Sequence, residues 1–529
     1  MQSSSPAQTY IDYLHRVCPL LNPETIAKAE QIASQTDWDE PVTGLELNNC
    51  AVVALIEAEQ CEQVGDRQFF IEMALTALNE GIALDGYPLC SIHLSLLHTS
   101  LGVGRNATNN FAMYTLLNQL QDIYNPGLEL PPALVYLPID RPGSVAASQI
   151  KTALQVETGH DQALIMFAEA IWRSPLVFYS PYGLRLLRLA QQLTPAAAHL
   201  NLQLGISSMV NNQLEGLYAL HRAQALAPDF AAAIQTLYLA YLGMQQLDKA
   251  KYWLAKGQQF YQANPKARQW QWASLPIDST YTYAAIASDL VMAIEPSFKS
   301  IVTMVLLAQG RWFEQEMEFW QEWLKPGMVV IDVGANAGIY TFVAAQQVGA
   351  SGKVLAVEPF ADCIAYMQET CRLNQLEWVT VCAGAASDRN GTIKFMTQNA
   401  SELNMVITEE QSNLEGGGNY DQVDCFTLDH LVEQEGLTRV DFLKVDAEGH
   451  EMQVFQGSDR LLKEFAPIIL YENIAGASGA NLPVANYLRA QGYQLFYYQP
   501  FAMQLIPLGD RTDLAEFLNV IALPAKMIA

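Results

Sequence analysis

The chain has 529 residues and a formal charge of −26, because 55 acidic residues outnumber 29 lysines and arginines. This length exceeds what one ordinary hydrophobic core supports, so two or three domains are expected. An acidic surface repels phosphate backbones, which argues against nucleic acid as a partner. Charge at this level says little else about fold or substrate.

The eight cysteines form no Cys-x-x-Cys pair and no zinc-like spacing with histidine. They are therefore expected to be buried thiols in a reducing compartment. The first residues lack a basic region followed by an apolar core, so no signal peptide is predicted. The apolar run at 301–308 is too short to cross a bilayer. These patterns predict a cytoplasmic protein without a membrane span.

Residues 1–275 are predicted to form an all-α domain, since apolar residues recur there at helical spacing. Within it, one constant offset relates Leu200 to Ile234, Gly216 to Ala250, Leu220 to Leu254, and Ala223 to Gly257. This pattern resembles the tetratricopeptide repeat, a stack of paired helices with a period of about 34 residues. Such an array either offers a concave surface to a protein partner or an extended acceptor, or serves only for packing and self-association.

Two further segments ahead of Pro326 have a different character. The proline-rich stretch 128–142 is predicted to be a loop that breaks the helical array. Residues 276–325 are predicted to be a connector with a strand within 281–294, a helix or strand at 298–307, and an amphipathic helix beyond. The connector is expected to cover one side of a ligand pocket, with Trp312 and Glu314 among its candidate contacts.

Residues 326–529 alternate apolar strands with helices, which predicts a parallel α/β sheet buried on both faces. The first strand ends at Asp332 and leads into a glycine-containing loop, and the second strand ends at Glu358. In such sheets ligands bind beyond the carboxyl ends of the strands. A dinucleotide loop needs glycine where Asn336 and Ile339 stand, so a nicotinamide-dependent dehydrogenase is disfavoured.

Several motifs follow one another in an order that is typical of a single family. They are Val-Ile-Asp332-Val-Gly334-Ala-Asn336-Ala-Gly338, Val-Glu358-Pro359-Phe360, Ala386-Ser-Asp388-Arg-Asn-Gly391, Thr427-Leu-Asp429, Phe442-Leu-Lys444-Val-Asp446-Ala-Glu448-Gly449-His-Glu451 and Asn519-Val-Ile-Ala-Leu-Pro524. Together they resemble the FkbM family of S-adenosylmethionine-dependent methyltransferases over roughly residues 285–524. The resemblance implies a Rossmann-like class I methyltransferase fold and O-methylation of a hydroxyl on a sugar or natural product.

The resemblance also implies which residues hold S-adenosylmethionine. The methionine end would lie on Asp332, Gly334, Asn336 and Gly338. The nucleoside would lie against Glu358 at the ribose and Phe360 at the adenine face, with either Asp388 or the small segment from Ala385 to Ser387 at the purine edge.

The segment from Asp446 to Glu451 is the predicted source of catalytic groups. An alcohol acceptor needs a base, and Asp446 or His450 is the first choice, since histidine titrates near neutral pH. Glu448 is a third candidate, although Glu448 and Glu451 are equally expected to cap a helix N-terminus. Lys444 is expected to pair with a carboxylate such as Asp332 or Asp446.

Two alternatives remain open at this point. Asp446, Glu472 and Asn473 are oxygen ligands of the kind that Mg²⁺ or Ca²⁺ prefers, which would make the methyl transfer metal-dependent. The resemblance itself implies no metal. The other alternative is a non-catalytic scaffold that keeps the fold while the repeats bind a partner.

Overall fold

The computed structural model describes residues 5–18, 21–61, 63–101, 130–137, 145–173, 181–286, 290–396, 405–407, 420–473, 481–499, 504–515 and 517–528. The chain divides into two compact units. The first contains residues 1–195 with 499–504, and the second contains 196–498 with 505–529. Within the described residues, no helix combines the length and apolarity needed to cross a membrane.

The first unit is helical over most of its described length, as predicted. Its helices are α1 (Pro6–Val17), α2 (Pro23–Gln35), α3 (Gly44–Gln60), α4 (Val64–Asp85), α5 (Pro88–Leu101), α6 (Val145–Gln155), α7 (Gly159–Arg173) and α8 (Pro181–Leu193). Helices α1 and α2 begin with an N-cap side chain, Ser5 or Asn22, followed by proline. Proline suits this position because its missing N–H would have no helical partner there.

One segment of this unit is extended. Residues 131–137 belong to no helix or sheet, and the prediction that prolines interrupt the helices here is confirmed. The segment is not a surface loop, however, because the residues from Ala133 to Leu137 are at most 2% exposed. Pro138 and Pro142 lie outside the described residues.

The second unit begins with two helical hairpins built from α9 (Ala198–Val210), α10 (Gly216–Leu226), α11 (Ala231–Gly243) and α12 (Leu247–Ala263). The buried positions of α10 and α12 correspond at the offset seen in the sequence: Gly216 to Ala250, Ala219 to Trp253, Leu220 to Leu254 and Ala223 to Gly257. Helices α9 and α11 begin at a slightly shorter offset. The assignment to tetratricopeptide repeats and the boundary at residue 275 stay predictions.

The connector contains a β-hairpin followed by two helices. Strands β1 (Thr282–Ile286) and β2 (Leu290–Ile294) pair antiparallel, and α13 (Ile301–Gln309) and α14 (Glu316–Trp323) follow. Gln235 of α11 donates hydrogen bonds to the Thr282 hydroxyl and the Tyr283 carbonyl at 3.0 and 2.8 Å. These bonds join the second helical hairpin to the connector within the same unit.

The main sheet has eight strands in the order β13-β12-β14-β11-β10-β3-β4-β5. Its strands are β3 (Val329–Val333), β4 (Lys353–Glu358), β5 (Val379–Ala383), β10 (Phe442–Val445), β11 (Ile468–Glu472), β12 (Tyr493–Gln499), β13 (Gln504–Pro507) and β14 (Asn519–Pro524). Strands β5, β4, β3, β10 and β11 run parallel, and β14 is antiparallel to β11 and β12. The parallel strands therefore all present their carboxyl ends at one edge.

Helices cover both faces of this sheet and give it two apolar cores, as predicted for strands buried on both sides. They are α15 (Ile339–Val348), α16 (Ala361–Asn374), α17 (Leu428–Gln434), α18 (Glu451–Gln456) and α19 (Leu482–Ala490). A second sheet has the order β6-β9-β7-β8, formed by Ala385–Ala386, Tyr420–Phe426, Gly391–Met396 and Met405–Ile407. In this second sheet, strand β7 (Gly391–Met396) lies between β9 and β8.

Candidate active site

A cavity of about 280 Å³ opens at the carboxyl ends of β3, β4, β10 and β11. Its floor comes from the residues that follow these strands. Its remaining wall comes from the connector, with Ile301, Val302, Trp312, Phe313 and Glu314. The predicted covering role of the connector agrees with this arrangement.

The loop after β3 bends sharply, and three of its residues have positive φ. Gly334 has φ 71°, and a Cβ there would lie 1.7 Å from the Asp446 carbonyl oxygen. Asn336 has φ 51°, and its side-chain oxygen accepts the Ala337 N–H at 2.6 Å. Gly338 has φ 92° and precedes the first turn of α15. Glycine is therefore required at position 334 because the residue that follows β10 lies so close to it, and not only because a ligand would approach the loop.

Glu358 closes β4 on the opposite side of the loop and lines the cavity. One carboxylate oxygen accepts the Asn336 N–H at 2.8 Å, and the other accepts the Phe360 N–H at 2.9 Å. Each oxygen keeps a second lone pair for a ligand donor. Burial raises the pKa of Glu358 to about 7, although both N–H groups act against this rise.

Three charged side chains at the ends of β3 and β10 lie side by side, of which Asp332 and Lys444 are buried and Asp446 is partly exposed. The Lys444 ammonium lies 3.0 Å from Asp446 and 3.7 Å from Asp332, as the sequence predicted for this lysine. Burial alone would lower the pKa of Lys444, but the two carboxylates outweigh it and raise the pKa. Asp332 also accepts the Thr341 hydroxyl at 2.6 Å and is fully buried, and it is not among the residues that line the cavity.

At the same end of the cavity three carboxylates come together. Oxygen atoms of Asp446, Glu448 and Glu472 lie within 4.8 Å of one another. Burial, together with the negative charges of Asp446 and Glu448, raises the pKa of Glu472 well above its usual range. Asn473, the third predicted metal ligand, instead donates to the carbonyls of Leu514 and Phe517 and is buried among them. Glu448 takes its place in the cluster.

His450 lines the cavity near the acidic cluster and is buried. Its Nε2 lies 3.0 Å from the Ser387 hydroxyl. Burial lowers the pKa of His450 to about 4, so the ring is neutral at physiological pH. Ser387 is not among the residues that line the cavity, and its role at the purine edge stays a prediction.

The other predicted residues lie around the cavity rather than in it. Phe360 donates its N–H to Glu358 but does not line the cavity, and Asp388 pairs with Arg389 at the surface. The small residues Gly384, Ala385 and Ala386 line it in the place expected for the purine edge. Glu451, the first residue of α18, accepts the N–H groups of Ala447 and Gly449 in the preceding loop at 3.0 and 3.1 Å, so it stabilises this loop and does not cap the helix as expected.

Two residues that contact Glu314 were missed by sequence reasoning. The Tyr340 hydroxyl donates to Glu314 at 2.6 Å, and Lys444 lies 4.8 Å above the Tyr340 ring. Asn519, at the start of β14, donates to the same Glu314 oxygen at 3.1 Å. Their positions explain why they reach the site. Asn519 pairs with Glu472 in the β11–β14 register, and Tyr340 lies in the first turn of the helix after the glycine loop.

The fold and the cavity define a class I methyltransferase. In agreement, residues 332–495 match the model of the Methyltransferase FkbM domain. The C-terminal part of the chain therefore carries an FkbM methyltransferase domain, a family that depends on S-adenosylmethionine. The family match does not include the helical hairpins or the connector. No curated protein matches the chain.

Solved structures of other methyltransferases are similar to part of the chain. The methyltransferase FkbM from Methylobacillus flagellatus KT is 15% identical over 42% of this chain and 53% of that chain, with a TM-score of 0.26. The SAM-dependent O-methyltransferase from Thermotoga maritima is 16% identical over 44% of this chain and 73% of that chain, with a TM-score of 0.24. This chain thus spans about half the length of the first of these proteins.

The residues present fit the cofactor that the family implies. Glu358 offers two partly used acceptor oxygens to a ribose diol, and Gly384 to Ala386 leave room for a flat ring. At the other end, Glu448 supplies negative charge for an ammonium group. The volume is close to the lower end of the range of ligand pockets, about 300 to 1,000 Å³.

Proposed function

We propose that this protein is an S-adenosylmethionine-dependent O-methyltransferase that acts on a hydroxyl-rich acceptor such as a sugar. One observation carries the proposal. A single cavity is lined by Glu358 and the glycine loop at one end and by Asp446, Glu448 and Glu472 at the other. A donor site and a group of proton acceptors therefore share one enclosed space.

The bound cofactor supplies a methyl group activated on a sulfonium centre. The residues of this chain position and deprotonate the acceptor. Asp446 is the proposed base, because its carboxylate lines the cavity while Lys444 holds it at 3.0 Å. Neutral His450, oriented by Ser387, is the alternative base. Positioning by the surrounding wall contributes to the rate, since in-line transfer requires alignment.

The chemistry of the wall supports a neutral acceptor with several hydroxyl groups. Four carboxyl groups, those of Glu314, Asp446, Glu448 and Glu472, line the cavity. Carboxylates accept hydrogen bonds from hydroxyl groups and repel phosphorylated or carboxylated molecules. The connector adds the apolar side chains of Trp312 and Phe313, which suit the less polar face of a sugar ring.

Methyl transfer from labelled S-adenosylmethionine to a set of sugars and glycosides tests the proposal. Asp446→Ala is expected to lower kcat by about 100- to 10,000-fold, the range typical of a general base. Cofactor affinity should stay close to that of the wild type. Asp459→Ala, which removes an exposed carboxylate paired with Lys463, is the control. Wild-type protein that binds the cofactor but methylates no acceptor in a cell extract would favour the scaffold alternative.

A second candidate, metal-dependent O-methylation, is favoured by the cluster of Asp446, Glu448 and Glu472. Three carboxylates at such short separation repel one another unless they share protons or bind a cation. In that case the cation would acidify the acceptor hydroxyl. Activity that survives exhaustive EDTA treatment eliminates this candidate. Activity that is lost and then restored by Mg²⁺ but not by K⁺ supports it.

A further inference from the structure

The extended segment of the first unit, residues 131–137, is bound by helix side chains in the way that a strand is bound by its neighbours in a sheet. Every backbone N–H from Ala133 to Leu137 donates to a side chain of the helices around it. Each such N–H would cost about 1–3 kcal/mol if it were buried without a partner. The surrounding helices therefore form a groove built for an extended backbone.

One wall of this groove binds alternate residues of the segment. Gln162 of α7 donates to and accepts from the backbone of Ala133, at 2.9 and 2.8 Å. The Tyr10 hydroxyl does the same with Val135, at 2.9 and 3.2 Å, and the Tyr13 hydroxyl with Leu137, both at 3.1 Å. In an antiparallel strand pair, the backbone N–H and the carbonyl of every second residue are likewise both hydrogen-bonded to the same neighbour.

The opposite wall binds the residues in between. Asn49 of α3 accepts the Leu134 N–H at 2.8 Å, and Asn48 donates to the Leu134 carbonyl at 2.9 Å. His93 of α5 accepts the Tyr136 N–H at 3.0 Å through Nε2, while its Nδ1 lies 2.7 Å from the Asn48 side-chain oxygen. Burial lowers the pKa of His93 to about 4, which keeps the ring neutral and able to accept.

These contacts involve the main chain and are therefore independent of which residues the segment carries. Side-chain recognition includes apolar packing and a polar contact, in which the Tyr136 hydroxyl donates to Glu59 at 2.6 Å. The Tyr136 ring also stacks on Tyr13 with centroids 5.7 Å apart. An extended apolar peptide with an aromatic residue at the fourth of five positions satisfies the same groups.

We propose that the first unit is a receptor for extended peptides, and that residues 131–137 occupy its groove in cis. The external ligand is an extended, apolar segment of a partner protein, which binds by displacing the internal one. This proposal is independent of the methyltransferase activity. It gives the helical part of the chain a binding function of its own.

Fluorescence anisotropy with a labelled nonapeptide of the sequence of residues 130–138 tests the proposal on the full-length protein. Val135→Asp places a charge at a fully buried position, so it is expected to expel the internal segment and free the groove. This variant should bind the peptide at least about ten-fold more tightly than the wild type. A peptide N-methylated at the positions of Leu134 and Tyr136 keeps its side chains but loses two donors, and should bind about ten-fold more weakly.

Equal binding of the N-methylated peptide, equal binding to wild type and variant, or no binding by the folded variant would each overturn the proposal. Hydrogen exchange in the wild type decides the matter if Val135→Asp does not fold. Amides of Ala133 to Leu137 are expected to exchange faster than those of α3, through opening of the segment alone. If the amides of the segment and those of α3 exchange at one common rate, the segment is a permanent part of the core.

Discussion

The two buried polar networks of this molecule, one around residues 133–137 and one around Asp446, differ in how completely they are satisfied. In the helical groove, every N–H of the extended segment has a side-chain partner. In the cavity of the second unit, a buried oxygen of Glu472 has no hydrogen-bond partner among the described residues. A satisfied network indicates that the chain itself is the occupant, whereas unsatisfied acceptors indicate a place for a ligand.

The largest effect is expected from Gly334→Val, at the edge of the unsatisfied network. The new Cβ would meet the Asp446 carbonyl at 1.7 Å, and φ is 71°. Strain of this kind costs about 1–3 kcal/mol before the clash is counted, so affinity for S-adenosylmethionine should fall more than about 100-fold. Isothermal titration calorimetry measures this affinity. Gly436→Val is the matched control, because Gly436 also has positive φ but would meet no atom within 4 Å.

Glu358→Gln tests the acceptor oxygens at the cofactor end. Loss of charge-assisted hydrogen bonds of about 1.5–3 kcal/mol should weaken cofactor binding by about 10- to 100-fold. Burial raises the pKa of Glu358 to about 7, and hydroxyl donors favour the ionised form. Wild-type affinity should therefore be highest above pH 7 and fall as the pH drops through 7. An equally steep pH dependence in the variant would show that another group is responsible.

Gln162→Ala tests the satisfied network. It leaves the N–H and the carbonyl of Ala133 without partners, since Gln162 binds both. The free energy of unfolding should fall by about 1–3 kcal/mol, measured by urea denaturation with circular dichroism. Gln31→Ala, on the exposed side of α2, is the control and should change it by less than about 0.5 kcal/mol. Equal stability of both variants would mean that the groove adapts to the loss.

The smallest effect is expected from Asp388→Ala. The family resemblance implies that Asp388 lines the purine edge, but in the structure it pairs with Arg389 at the surface, outside the cavity. An exposed pair of this kind contributes about 0–1 kcal/mol, so cofactor affinity should change less than about two-fold. A ten-fold loss of cofactor affinity would support the role of Asp388 at the purine edge that the resemblance implies.

Much of the second unit was predictable because its signals are local. Apolar runs that end in an acid marked β3, β4 and β11, and each ends at its predicted position or directly beside it. Parallel strands bring their carboxyl ends to one edge, which is why Gly334, Glu358 and Asp446 were expected to meet. The pairing of Lys444 with two carboxylates followed from the same reasoning. Asn519 begins one of the family motifs, but its place in the site was not predicted, because it depends on the pairing of β14 with β11.

The amino-acid sequence alone determined the class of the fold and the methyl donor that its family implies, and it predicted which segment supplies the catalytic groups. These properties rest on short motifs and on the periods of strands and helices. Tertiary structure decided which polar groups are exposed to a ligand and which are satisfied internally. The acidic cluster contains Glu448 where Asn473 was predicted. An extended segment within a proline-rich stretch that was predicted to be a loop is buried. Hydrogen-bond satisfaction depends on contacts between residues far apart in the chain, and such contacts form only when the chain has folded.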